Sequence, residues 1–215
     1  MLVATAYISL LIQLITGIFD VYGININVPE KYDKFKDLLK IELSVQSVEF
    51  IFYLWLVLNI KKYKDITKYR YYDWFITTPI MLITLMVYYD EKSKTVKEFM
   101  ENNKSNIILI IFLNFTMLLF GLLGETNIIK YNLGGILGFI PFILVFRIIY
   151  EQYVKGKNTQ IFYYFVIFWG LYGVAYFQNY ELKNSMYNIL DLFAKNGFGL
   201  FLVWLLYSNR IQTKK

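Results

Sequence analysis

The chain has 215 residues, 57% hydrophobic and 20% aromatic, with only 18% charged and a formal charge of +6. That is too apolar for an ordinary soluble domain and has the composition of an integral membrane protein, whose positive balance reflects topology rather than nucleic-acid binding. With no cysteine and no histidine, disulfides, thiolate or imidazole metal sites and the usual near-neutral proton shuttle are excluded; carboxylates, Lys, Tyr, hydroxyls and amides are left for any proton or ion chemistry.

A membrane span needs about 20 mostly apolar residues. Seven stretches qualify: 2–19, 38–60, 67–89, 105–123, 126–150, 160–180 and 184–209. The links are short and polar, so residues 1–215 read as one domain, an all-α integral membrane bundle of seven transmembrane helices. The first span lacks a basic leader and a small-residue cleavage site, and is kept as a helix rather than a signal peptide. With the N-terminus outside, fourteen Lys and Arg (Lys214 and Lys215 among them) fall on the cytoplasmic side and seven on the outer side. The excess of positive charge predicts N-terminus out and C-terminus in.

In the second span Glu42, Gln46, Glu49 and Tyr53 recur at +4, +3 and +4 on one helical face. Intramembrane glutamates are costly unless hydrated or facing a cation, and carboxylates along a pathway favour cations. Taken alone, Glu42 is equally a protonated structural acid, and Glu49, nearer the outer end, a snorkelling one. In the third span Arg70, Asp73, Thr77 and Thr84 follow at +3, +4 and +7, a polar stripe that belongs in the bundle interior or against a water-filled cavity. Its bland alternative is an Asp–Arg pair at a helix end. Pro79 frees a carbonyl for neighbouring threonines or water. Gly134, Gly135, Gly138 and Pro141 in the fifth span need no ligand, because small residues let membrane helices approach closely. Trp169, Tyr172 and Tyr176 share one face of the sixth span, a pattern that by itself is more often plain packing.

The seventh span holds Lys195 near its middle. An ammonium there costs roughly 2.5–3.5 kcal/mol on insertion scales, and such a residue is functional by default. Asp191, one turn earlier, offers a counter-charge. A lysine also escapes the charge problem by condensing with an aldehyde to a Schiff base. A buried, cofactor-anchoring amine is the leading expectation.

These residues carry a resemblance. Arg70-x-x-Asp73-Trp74-x-x-Thr77-Thr78-Pro79 with Asp191-x-x-x-Lys195-x-x-Phe198-Gly199 closely resembles the microbial (type I) rhodopsins, over all seven spans. The resemblance implies all-trans retinal on Lys195 as a protonated Schiff base, with Asp73 and Asp191 as counterions, Arg70 organising charge on the outer side and Thr77 beside them. Trp169, Tyr172 and Tyr176 would form an aromatic cage, with Trp74 as the opposite wall. Asn114, Met117 and Gly121 on the fourth span resemble the ring-contact segment, and Asn114, replacing the familiar Asp, would hydrogen-bond Thr78. Gly173 stands where many relatives have proline, which puts the kink of that helix in question.

An efficient proton pump would need a donor seven residues beyond Thr77, where this chain has Thr84, and a release-group glutamate where it has Lys183. Ile41-Glu42 followed by Glu49-Phe50, Ser9 on the first span and Asn196 after the lysine resemble channelrhodopsins instead. In that likeness Ser9, Glu42 and Asn196 form a hydrogen-bonded gate, with Glu49 along the ion pathway. The compact length and the Asp-Thr-Thr pattern look most like the short viral rhodopsins of giant algal viruses. The expectation is a light-gated cation channel in a host membrane, passing monovalent cations or protons and possible as a homo-oligomer. The alternatives are a weak outward proton pump and a photosensor without ion flux. Nothing resembles a phosphate loop, a nucleophile elbow or a metal site, so no conventional enzyme is expected.

Overall fold

The computed structural model describes residues 1–211, so Lys214 and Lys215, which enter the orientation reading, lie outside the described residues. These fold into helices with no strand among them. The helices are α1 (Leu2–Ile24), α2 (Asp33–Asn59), α3 (Thr67–Tyr89), α4 (Val96–Asn102), α5 (Lys104–Glu125), α6 (Tyr131–Val154), α7 (Gln160–Tyr176) and α8 (Tyr180–Ser208). Seven are the expected spans; α4 is short and lies in the link between α3 and α5. It is started by Thr95, whose Oγ1 accepts from the Glu98 N–H at 3.1 Å, an N-cap, and is anchored by the fully buried Phe99.

Five of the seven long helices are long and apolar enough by themselves to cross a membrane. The other two have visible reasons for falling short. α3 carries the polar stripe of Arg70, Asp73, Thr77 and Thr84, all buried, and α7 has only 17 residues.

The bundle is apolar outside and carries a polar seam within its otherwise apolar core. On α1, Ile8, Leu11, Ile15 and Ile18 are exposed, whereas Ser9, Gln13, Thr16 and Asp20 are buried. Such an arrangement suits lipid around the helices and polar groups facing one another. α1 runs to Ile24, about a turn beyond the expected end, because Asp20 does not stop the helix but turns inward. α1 and α2 pack antiparallel in a register fixed by two contacts. Gln46 donates to Thr16 Oγ1, and a Cβ placed on Gly23 would lie 2.7 Å from Leu39. The lack of a side chain at Gly23 is therefore what lets the two helices close at that end.

Two helices deviate locally. α6 finishes in a π-helical turn over Tyr150–Val154, and α8 widens into another at Leu192–Asn196. The second contains Lys195. Pro79 leaves α3 unbroken, and its neighbouring threonines bond the carbonyls of Asp73 (2.9 Å) and Trp74 (2.7 Å). α7 continues through Gly173 without interruption.

Candidate functional site

Lys195 projects from the π turn of α8 into the bundle and is 4% exposed. Widening a helix by one residue re-aims the side chains it carries, and such turns concentrate at functional sites. The backbone disturbance is met locally: the Tyr164 hydroxyl on α7 donates to the Phe193 carbonyl. Sequence spacing gives no warning of this turn, because the residues within it are ordinary helix formers.

Three carboxylates surround the amine. Lys195 Nζ hydrogen-bonds Asp73 Oδ2 and lies 3.6 Å from Asp191 Oδ1 and 3.7 Å from Glu49 Oε1. Asp191 is held from both sides, with Tyr53 donating to Oδ2 at 2.7 Å and Tyr172 to Oδ1 at 2.6 Å. Charge-assisted bonds of this kind are about twice as strong as neutral ones, so they fix the carboxylate's orientation. Glu49 is fully buried, with no protein donor on either oxygen. It is not an interfacial acid reaching for water but a third acid of the lysine cluster.

Arg70 is completely buried just beyond this cluster. Its Nε donates to Asn184 Oδ1 at 2.9 Å and its Nη2 to Asn188 Oδ1 at 2.5 Å, while Nη1 stands 3.6 Å from Asp191 Oδ2. The guanidinium also lies 5.6 Å from the Tyr187 ring centroid, within cation–π range. Asn184, Asn188 and Tyr187 are site residues that the sequence motifs do not mark, the inward face of α8 being the available signal; Tyr53 belongs to the polar face already read on the second span. Lys183 points elsewhere, into a buried pair with Glu125 at 2.8 Å to both carboxylate oxygens, beside Tyr131 and Tyr176.

On the other side of Lys195 opens an elongated cavity. Its walls include Trp74, Met117, Trp169, Tyr172 and Tyr176, with Gly121, Gly134 and Gly138 among the lining, and Lys195 is the one lysine on it among the described residues. Thr78 belongs to the same wall and accepts from Asn114 Nδ2 at 2.8 Å, the bond anticipated from the sequence. Trp74 meets Tyr172 edge-on at 5.6 Å between centroids. The glycines are part of the shape: a Cβ on Gly121 would sit 2.6 Å from the Tyr71 hydroxyl, and one on Gly173 would sit 2.3 Å from Phe139. An apolar, aromatic-walled slot ending in a single amine beside carboxylates fits a long conjugated aldehyde.

The proposed gate is built differently from the expectation. Ser9 Oγ donates to the Asn188 carbonyl at 2.8 Å, Glu42 Oε1 and Thr84 Oγ1 are hydrogen-bonded at 2.5 Å, and neither amide atom of Asn196 has a partner among the described residues. No hydrogen bond joins the three into one plug. The helix register explains why: Ser9 and Tyr53 meet at Asn188, and Tyr53 is about 16 Å along α2 from Glu42 at 1.5 Å per residue. Thr77 Oγ1 is occupied with its own helix, close to Asp73 in sequence but without a bond to the lysine.

The bacteriorhodopsin-like protein family matches the chain over residues 2–209. No curated protein matches its sequence. Among solved structures, the crystal structure of viral rhodopsin OLPVRII is similar with 26% identity and a TM-score of 0.82, over 96% of this chain and 97% of that one. The blue light-absorbing proteorhodopsin from Med12 follows at 22% identity and TM-score 0.76, covering 96% of each chain. Halorhodopsin from Halobacterium salinarum is 16% identical with a TM-score of 0.73, over 96% of this chain and 93% of that one, and shares the fold. With the buried amine, its acids and the aromatic slot already in place, these similarities make the chain a member of the bacteriorhodopsin-like family, a multi-pass membrane photoreceptor that carries retinal as a Schiff base on a lysine.

Proposed function

We propose that this protein is a light-gated cation channel with Lys195 as its retinal-bearing residue, in a membrane it crosses with the N-terminus outside. The observation that carries this reading is a polar seam between α1, α2, α3 and α8. Unpartnered polar atoms of Gln13, Asp20, Glu42, Gln46, Glu49 and Asn196 lie along it, buried. Buried polar groups without partners cost about 1–3 kcal/mol each. A seam with this many is stable only when water or ions occupy it, which is what a conduction path requires.

Retinal, when bound, supplies a light-driven change of shape in the cavity. The chain's own residues do the rest. Trp74, Trp169, Tyr172 and Tyr176 would hold retinal between their rings, Thr78 and Asn114 fix one wall, and Met117 and Gly121 would complete the lining. Asp73 and Asp191 balance the charge at Lys195, with Arg70 holding Asp191 from the outer side and Thr77 stiffening the backbone of Asp73. Two cations, Lys195 and Arg70, face three acids, so electroneutrality in a low-dielectric interior leaves one proton on the acids; Glu49, which accepts no hydrogen bond from the described residues and lies 3.7 Å from the lysine, is the one assigned to hold it. The gate is assigned to Glu42, tied to Thr84, together with the buried Asn196 of α8, while Ser9 secures the opposite end. Breaking the Glu42–Thr84 bond opens the seam to hydrated cations.

Voltage clamp of the protein in a host membrane tests this. A channel current reverses with the cation gradient, and Glu42→Gln alters its size or ion selectivity. The contact between Lys195 and Asp73 favours one second reading, an outward proton pump; its current stays outward over a wide voltage range and is suppressed by Asp73→Asn. Absence of any light-dependent current leaves a photosensor and overturns both. A reversing current left unchanged by Glu42→Gln refutes the gate.

A further inference from the structure

We propose that Asp20 and Glu42 form a carboxyl pair that stores one proton at the end of the polar seam away from Arg70. This assigns a proton-binding role to Asp20, a residue outside the retinal site and its gate. The register of α1 on α2 places the two acids at one level. Thr16 and Gln46 are bonded, and Gly23 and Leu39 are in contact. Asp20 lies four residues after Thr16, and Glu42 four before Gln46, so each advances about one turn from the bonded pair toward the other contact. Asp20 is 1% exposed and Glu42 2% exposed, and Asp20 Oδ1 and Glu42 Oε2 have no protein hydrogen-bond partner.

A separate observation places the proton. The Thr84 hydroxyl has a single hydrogen but stands 2.5 Å from Glu42 Oε1 and 2.9 Å from the Met81 carbonyl. If Glu42 carries a proton, both contacts are satisfied: Glu42 donates to Thr84 Oγ1, and Thr84 donates to Met81. If Glu42 is ionised, two acceptors compete for one hydrogen.

Among the described residues, the surroundings offer no cation to neutralise two charges. On α8 the neighbour is Gly199, whose absent Cβ would sit 3.1 Å from both Asp20 carboxylate oxygens. Lys195, one turn from Gly199, is engaged by Asp73, Asp191 and Glu49. α3 presents Thr84, and α2 adds only the amide of Gln46 to Glu42. Lys34, at the start of α2, is held by the carbonyls of Asp90 and Ser93. Two apposed acids in such a place hold one proton between them, because both cannot ionise at close quarters. The pair supplies an exchangeable proton in the half of the seam where α3 has only the hydroxyl of Thr84.

Infrared spectroscopy of the purified protein in the dark, in H2O and D2O, tests this on wild type, Asp20→Asn, Glu42→Gln and the double variant. Glu49 contributes a band common to all four samples; the shared proton gives a second protonated-carboxyl band that shifts in each single variant and is lost in the double. Gly199→Ala, which keeps both acids but crowds Asp20, shifts the same band. If Asp20→Asn and Gly199→Ala leave the band untouched and Glu42→Gln alone abolishes it, Glu42 is an isolated acid and the pair is refuted. If wild type lacks the band and gains it when sodium and potassium are exchanged for a bulky organic cation, the acids hold a metal cation and the proposal fails. Neither readout needs a photocurrent, so the result stands apart from the channel reading.

Discussion

The Lys183–Glu125 pair allows a quantitative test of what holds the cavity shut. Both side chains are nearly enclosed, at 7% and 5% exposure, and the lysine lies 5.2 Å from the Tyr131 ring centroid and 5.9 Å from that of Tyr176. Those two rings are stacked at 4.4 Å, and Tyr176 lines the retinal slot. Glu125→Gln keeps the shape but leaves a buried ammonium without its counter-charge, which costs about 3–5 kcal/mol. At roughly 2–4 °C per kcal/mol for a chain of this size, the midpoint of thermal bleaching should fall on the order of 10 °C. Replacing both members, Glu125→Gln with Lys183→Met, removes the stranded charge, so the double variant should recover most of that loss. The assay is loss of the visible band on heating in one fixed detergent. If Glu125→Gln bleaches within a degree or two of wild type, or if the double variant is worse than either single, the pair does not act as a buried ionic clamp.

Three further outcomes follow from contacts near the chromophore. Gly173→Ala puts a methyl group into the Phe139 ring, 2.3 Å from its Cζ, and should slow or abolish colour regeneration with added retinal; Gly156→Ala, with open space around it, should leave regeneration unaffected despite its local backbone strain. Gly197→Ala collides with the Tyr164 hydroxyl at 2.0 Å and should lower the bleaching midpoint, with Tyr164→Phe in the same chain restoring part of it; an additive loss in the double variant would refute the clash. Tyr172→Phe deletes one of the two hydroxyl donors to Asp191, a bond worth about 1.5–3 kcal/mol to a charged acceptor. It should move the visible maximum, measured on purified pigment, and an unmoved spectrum would show that Asp191 does not sense the lysine's charge.

The third span was legible almost to the residue, because Thr67 to Tyr89 is bounded by polar links and carries an unambiguous stripe. The Asn114–Thr78 bond was legible for a related reason: complementary polar groups inside apolar helices have few other partners. What escaped was three-dimensional register. The first span, read as 2–19, stopped one residue short of Asp20, which lies inside α1 and faces α2 and α8. Ser9 was assigned to the gate by likeness, and the antiparallel pairing of α1 with α2 takes it to Asn188 instead. Glu49 could be read as an interfacial acid until the π turn of α8 brought Lys195 within 3.7 Å of it.

The seam also constrains how the bundle divides its labour. Ser9, Gln13, Thr16 and Asp20 on α1 repeat the 4, 3, 4 spacing of Tyr53, Glu49, Gln46 and Glu42 taken in reverse along α2. In antiparallel register each polar residue of one helix therefore meets a level of the other that is also polar. Two apolar faces here would pack side chain against side chain, as do the aromatic and aliphatic contacts of α3, α6 and α7 around Phe146, Phe165 and Trp169. The chain thus separates an apolar half, which lines the retinal slot, from a polar half, to which the proposed function assigns the ion route, and α8 is the helix that belongs to both. Lys195 sits at their boundary, in the one turn of α8 that departs from α-helical geometry. On the proposed function, a change of shape on the apolar side would reach the polar side through that turn, where the three acids around the amine are its nearest charged groups.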